Sequence, residues 1–275
     1  MKKLIVCGDS YMTPMNRPWK GKEVVGTHFS EIIARRIGYE LVVYARGGMS
    51  NLGICIQLHT ALNYEPRPDL ILLGTTSPDR SEWIYNDLQR IDKVSIKDIN
   101  YHHPNSRSHK TPLAGDNPKV TSFQISDYFI KGGCLEQDGD IYKQERKQSM
   151  ESWLTWLYHP DIKKFNDLQI RKAMFADLDQ SGIPYVICYD WFKLHDSEIK
   201  KPKNLNYAMD DLIQIPAFGH IDNDDDPGYH TPLEVQQKIA DVILEKYLLG
   251  IAQPGSALAL GARGRLFEPD YRDQS

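Results

Sequence analysis

Three short apolar runs, KLIVCG at 3–8, ELVVYA at 40–45 and DLILLG at 69–74, punctuate the first 76 residues, and helical spacing fills the gaps between them. Strands apolar at nearly every position, rather than at every second one, are buried on both faces. That requires a parallel sheet with helices above and below. The first gap holds THFSEIIARRI at 27–37, with Thr27 placed to cap the helix and Gly38 to stop it. The second opens on a Gly47-Gly48 turn and predicts a helix from Asn51 to Leu62. Strand and helix in strict alternation predict an α/β fold with a mostly parallel sheet.

The alternation then stops. Residues 81–148 are polar, rich in Asn, Asp, Gly and Pro, and carry no sustained period. A connection of this length is either a surface insertion without chemical consequence or a functional one. Regular patterning resumes with helices expected at 149–158 and 161–181, the second closed by Gly182. A buried strand follows at Ile183–Tyr189, then a short strand at 213–218 and an amphipathic helix at 232–249. Beyond Gly250 the chain is Gly/Ala/Arg-rich and aperiodic. The expected organisation is therefore one domain over 1–250, with the long irregular insertion inside it. Residues 251–275 form a C-terminal tail, disordered or docked on a partner.

Composition narrows the function classes. A chain of 275 residues can bury roughly 75% of its unfolded surface and needs no covalent staples. Lys and Arg total 33 against 37 Asp and Glu, so no basic excess points to nucleic acid. The apolar run at the N-terminus, Leu4 to Cys7, is too short for a signal sequence or a membrane span, and no longer run occurs elsewhere. Cys7, Cys55, Cys134 and Cys188 lie far apart with no C-x-x-C spacing, which argues against a disulfide framework or a structural zinc. The expectation is a cytoplasmic protein with no membrane and no nucleic-acid partner.

In open parallel sheets reactive groups collect beyond the carboxyl ends of the strands. Those positions read Gly8-Asp9-Ser10, Arg46-Gly47-Gly48 and Gly74-Thr75-Thr76-Ser77, with Asp222 to His230 before the last helix. Each has a bland reading: Ser10 as a turn or cap residue, Gly47-Gly48 as a tight turn, Thr75 to Ser77 as a cap before Pro78, His230 as a loop histidine. Together they supply a hydroxyl, a base that titrates near neutrality, acids to orient it, and Cβ-free backbone that can approach an oxyanion.

In this order the residues resemble the SGNH (GDSL-type) hydrolase superfamily, over roughly 1–80 and 183–249. The motifs are Gly8-Asp9-Ser10 after an apolar strand near the start, Gly48 after the second strand, and Asp226-Pro-Gly-Tyr-His230-Thr-Pro before a closing helix. The resemblance implies a flavodoxin-like three-layer sandwich and hydrolysis of a carboxylic ester without a cofactor. The ester would belong to a small molecule or a glycan, an O-acetyl group being one such substrate. It implies Ser10 as nucleophile, His230 as base, Asp226 as the acid, and an oxyanion hole from the N–H groups of Ser10 and Gly48. Thr76 stands where the family has an asparagine; its hydroxyl is shorter than an amide and must rotate into line. Asn51 either substitutes for it or simply opens its helix. Pro227 sits three before His230, which moves the acid back to Asp226 and leaves Asp222, Asp224 and Asp225 as alternatives.

These departures suit a slow or inactive enzyme as well as an active one. The second reading is a non-catalytic binding or structural protein that keeps the fold. Phage-encoded proteins of this superfamily exist, and by that analogy a virion component would contact partners through the insertion or the tail. A nucleotide-binding domain ranks last, because G-x-x-x-x-G-K-[ST] and G-x-G-x-x-G are both missing. No metal site is expected. The every-second Asp222, Asp224, Asp226 spacing is followed by Pro227 where a calcium loop turns on glycine, and by Leu233 where it needs glutamate. His102, His103 and His109 read as solvated insertion residues. Asp79-Arg80 either anchors its loop as an ion pair, the plainer reading, or binds an anionic substrate group. Trp83, Tyr85, Trp153, Trp156 and Tyr158 read as core residues or, alternatively, as carbohydrate-stacking ones.

Overall fold

The computed structural model describes residues 1–14, 25–47, 49–78, 80–85, 111–112, 119–124, 152–195, 206–215 and 231–248. The first half follows the alternation: β1 (Lys3–Cys7), α1 (Phe29–Ile37), β2 (Glu40–Val43), α2 (Asn51–Leu62) and β3 (Leu70–Gly74). Then come β4 (Arg80–Tyr85), β5 (Thr111–Pro112) and β6 (Lys119–Gln124). The second half holds α3 (Pro160–Ser181), β7 (Tyr185–Tyr189), α4 (Trp191–His195), β8 (Asn206–Tyr207), α5 (Met209–Ile213) and α6 (Leu233–Tyr247).

The main sheet runs β2-β1-β3-β7-β8 with every neighbouring pair parallel. That is a flavodoxin-like order, and the register is set by the buried runs: Ile5 lies opposite both Val42 and Ile71, and Leu73 opposite Ile187. Alternate side chains feed two separate cores. Ile5, Cys7, Ile71, Leu73, Ile187 and Tyr189 face α2 and α3, where Ile54, Leu58, Met174 and Leu178 cover them. Leu4, Val6, Leu70, Leu72, Val186 and Cys188 face α1 and α6, under Ile33, Ile239 and Ile243. The three-layer α/β arrangement follows from burial on both faces.

Local structure departs from expectation in four places. His28, not Thr27, caps α1: its Nδ1 accepts from the Ser30 amide at 3.3 Å, and Glu31 closes the capping box on the His28 amide at 3.0 Å. The cap is chosen by tertiary structure, because the other ring nitrogen of this buried histidine reaches the Tyr11 carbonyl at 3.1 Å. The expected strand at 213–218 gives way, over its described start, to α5, which buries Met209 and Leu212 and carries Asp210 and Asp211 in its first turn; residues 216–218 lie outside the described residues. The polar stretch after β3 contains a three-stranded antiparallel sheet, β4-β6-β5, in which Arg80 pairs with Gln124. The expected helix at 149–158 is helical over 152–156 and ends two residues early, while residues 149–151 lie outside the described residues. The tail at 251–275 lies outside the described residues. Among the described residues no helix is long and apolar enough to cross a membrane.

Candidate functional site

In the β2-β1-β3 order the chain's connections depart to opposite sides of the gap between β1 and β3, the crevice where ligands bind in this architecture. The segment after β1 turns there abruptly. Gly8 sits at φ +152°, and a Cβ on it would fall 2.4 Å from Met12 Cγ, so only glycine fits. Its amide donates to the buried Gln57 Oε1 at 2.8 Å. One turn of 3-10 helix, Ser10–Met12, follows with Asp9 as its cap.

Asp9 is buried and fully engaged. Oδ1 accepts from the Tyr11 amide at 3.0 Å, while Oδ2 accepts from the Thr76 hydroxyl at 2.7 Å and from Arg80 Nη1 at 2.9 Å. Arg80 thus belongs to a structural ion pair whose partner is Asp9; Asp79 lies outside the described residues. Ser10 itself is partly exposed between the buried Asp9 and Tyr11. It stands next to Gly47, on which a Cβ would sit 3.7 Å from Ser10 Cβ. The segments after β2 and β3 therefore meet the Asp9–Met12 turn that carries Ser10, Gly47 at Ser10 itself and Thr76 at Asp9.

Thr76 is held at three points. Beyond its hydroxyl bond to Asp9, its amide donates to Asn51 Oδ1 at 3.0 Å and its carbonyl accepts from Asn51 Nδ2 at 2.9 Å. The same Nδ2 donates to Asp167 Oδ2 at 3.0 Å. Asn51 opens α2, which Ser50 caps, and its amide clamps the backbone after β3. The Thr76 hydroxyl hydrogen points to a carboxylate. Burial pushes the Asp167 carboxyl upward, and Lys163 beside it opposes that shift.

His230, Asp226, Gly48 and the alternative acids Asp222, Asp224 and Asp225 lie outside the described residues, as do His102, His103 and His109. The described residue next to His230 is Thr231. Its hydroxyl accepts from Gln236 Nε2, and Gln236 Oε1 in turn accepts from the Phe29 amide at 2.9 Å. Phe29 follows His28, whose Nε2 meets the Tyr11 carbonyl. A carbonyl only accepts, so His28 carries a hydrogen on Nε2, and Nδ1, which accepts from the Ser30 amide, carries none; the ring is neutral, and burial lowers its pKa to about 3.

The strand-end rule also reaches a group left out of the sequence reading. Asp190 directly follows β7 and is buried, with Arg171 Nε 3.0 Å from each carboxylate oxygen and the Thr75 hydroxyl 3.0 Å from Oδ1. The Thr75 oxygen accepts from the Trp191 amide at 3.0 Å. The signal was available, since Asp190 directly follows the run IPYVICY just as Asp9-Ser10 follow KLIVCG. Among the aromatics, Tyr11 stacks on Tyr189 with ring centroids 4.7 Å apart, and Trp153 meets Tyr158 at 5.2 Å. Trp156 is 81% exposed and belongs to no core; the side chains of Trp83 and Tyr85 are outside the described residues. No group of three potential metal ligands occurs among the described residues.

The chain matches no protein-family model and no curated protein sequence.

Proposed function

We propose that this protein is a serine ester hydrolase of the SGNH type, acting on a carboxylic ester, with O-acetyl groups on a glycan as the first substrate class to test. One observation carries the reading. Ser10 stands partly exposed at the β1/β3 crevice beside Gly47, and hydrogen bonds through His28, Phe29 and Gln236 tie its turn to Thr231, the neighbour of His230. In the mechanism Ser10 Oγ attacks the acyl carbonyl while His230 takes its proton, with Asp226 orienting the imidazole. The alcohol leaves with that proton, and water, deprotonated by the same histidine, releases the acid and restores Ser10. With the Thr76 hydroxyl bonded to Asp9, the oxyanion rests on the backbone N–H groups of Ser10 and Gly48. One donor fewer costs about 3–4 kcal/mol in the transition state, so turnover is slow. The free, buried Cys7 and Cys188 suit a reducing compartment such as the cytoplasm.

The test is fluorophosphonate labelling with hydrolysis of short-chain acyl esters and acetylated oligosaccharides by the wild type and by Ser10→Ala and His230→Ala. Labelling and turnover that vanish in both variants support the reading. Equal turnover by Ser10→Ala removes it.

A second reading is favoured by a specific observation. The Thr76 hydroxyl donates to Asp9 and the Asn51 amide to Thr76 and Asp167, so both side chains considered for the oxyanion hole serve structure instead. A chain that keeps the fold for binding or assembly, including assembly into a virion, meets that observation without chemistry. It predicts a folded protein that the probe never labels.

A further inference from the structure

We infer that Arg80 is a positioning residue for Ser10, acting through the Asp9 carboxylate; this rests on the hydrolase reading above and deepens it. Arg80 is the first residue of β4, and its backbone is fixed by pairing with Gln124 of β6. Its Nη1 lies 2.9 Å from Asp9 Oδ2, and the Asp9 side chain is 2% exposed. The other Asp9 oxygen holds the Tyr11 amide and so closes the turn that begins with Ser10. One carboxylate therefore joins three separate pieces of chain: the turn bearing the nucleophile, the Thr76 segment after β3, and the small antiparallel sheet.

A buried carboxylate that loses its cation is strongly disfavoured. The side chain then turns toward water, which loosens the Tyr11 amide or the Thr76 hydroxyl. Ser10 keeps its chemistry but loses its fixed direction relative to the acyl carbon. Misplacement of that kind lowers kcat and leaves substrate affinity largely intact. A lysine at position 80 still brings positive charge to Asp9, although as a point charge without the planar fork. Charge that matters through Asp9 is thus restored in part by Arg80→Lys and not by Arg80→Gln.

The experiment uses the full chain and two readouts. The first is steady-state hydrolysis of p-nitrophenyl acetate together with the rate of fluorophosphonate labelling. Arg80→Gln is expected to lower kcat and labelling on the order of 10- to 100-fold with KM within roughly 2-fold, and Arg80→Lys to recover most of that loss. Adding Asp9→Asn to Arg80→Gln is expected to cost little more, because the two residues act as one unit. The second readout is amide hydrogen exchange of residues 9–13, expected to quicken roughly 10-fold or more in Arg80→Gln and far less in Arg80→Lys. Unchanged exchange and labelling in Arg80→Gln overturn the inference, as does a lysine variant no better than glutamine. A glutamine variant that fails to fold leaves the comparison of Asp9→Asn with Arg80→Lys, in which the first should loosen the turn and the second far less; an Asp9→Asn chain with wild-type exchange and labelling overturns it as well. If the wild type itself is never labelled, the hydrolase reading fails and with it Arg80's catalytic role, while hydrogen exchange still decides whether Arg80 holds the Ser10 turn.

Discussion

The Asp9 carboxylate and the Thr76 hydroxyl meet at 2.7 Å, bridging the segments that leave the carboxyl ends of β1 and β3. The bond commits a side chain in the expected oxyanion position to structural work next to the candidate nucleophile. Replacing Thr76 with valine, which has nearly the same shape, removes a donor from a buried carboxylate and is expected to cost about 1.5–3 kcal/mol. Thr76→Ser keeps the donor and should stay within about 1 kcal/mol of the wild type. Urea denaturation of the two variants checks the difference; equal midpoints would mean that the bond contributes nothing.

Thr76→Asn separates structure from catalysis. An asparagine amide has two hydrogens, one to keep the bond to Asp9 and one to offer an oxyanion. On the hydrolase reading this variant should raise kcat for p-nitrophenyl acetate roughly 10-fold or more at little change in KM, since one restored donor is worth several kcal/mol in the transition state. Steady-state kinetics on wild type and variant provide the check, and a variant slower than wild type speaks against Thr76 facing the reacting carbonyl.

Asn51 holds the same segment from the other side, through the amide and carbonyl of Thr76 and through Asp167. Asn51→Ala strands buried partners and is expected to lower stability by about 3–5 kcal/mol. Asn51→Asp puts a second carboxylate beside Asp167, whose carboxyl burial already pushes upward. Two such groups share a proton, so the folded pair binds it more tightly than the unfolded chain does. The sign follows: the Asn51→Asp deficit shrinks below the pair's raised folded pKa and grows as pH rises through it. Denaturation at pH 5 and pH 8 reads this directly, and a deficit independent of pH would exclude charge repulsion as its cause.

What could be read in the residue order divides along physical lines. The buried strands were legible because a strand covered on both faces must be apolar throughout, as LIVC and LILL are. Ser10 and Thr76 were legible because strand ends are where such sheets collect polar groups. Partners that depend on distant chain were not: Arg80 lies 71 residues from Asp9, and nothing local ties Asn51 to Asp167, 116 residues away. Threonine is the better cap in isolation, so residue order points to Thr27, and burial of His28 against the Tyr11 carbonyl decides otherwise. The β4–β6 pairing joins strands separated by a long polar stretch, where no hydrophobic period announces a sheet.

His28 makes stability depend on acid. Its folded pKa is lowered by burial to about 3, against an ordinary 6.5 when the chain is unfolded. Between those values the unfolded chain binds a proton that the folded chain does not, so stability falls as pH drops below 6.5. From pH 6.5 to pH 5 this group alone should remove about 1.5 kcal/mol. His28→Asn retains a capping side chain and cannot titrate, so its stability should fall less over that window. Parallel pH–stability curves for wild type and variant would exclude His28 as the source.

Gly8 and Gly74 both face Met12, yet they should respond differently to the same substitution. A Cβ on Gly74 would meet Met12 Cγ at 2.7 Å and Sδ at 3.0 Å, and would also approach Tyr189 Cβ at 3.3 Å. A Cβ on Gly8 would meet Met12 Cγ at 2.4 Å and Met12 Cβ at 2.7 Å, at a φ of +152° that L side chains rarely adopt. Each alanine alone is expected to destabilise by at least about 2–3 kcal/mol. Met12→Ala removes Cγ and Sδ but keeps Cβ. It should therefore rescue Gly74→Ala in large part, with a coupling of about 1–2 kcal/mol, and leave Gly8→Ala crippled by its backbone and by the remaining Cβ. Thermal unfolding of the two double-mutant cycles measures both couplings. Equal rescue at the two positions would mean that the turn into Ser10 carries no backbone constraint at Gly8, and that Met12 alone sets its shape.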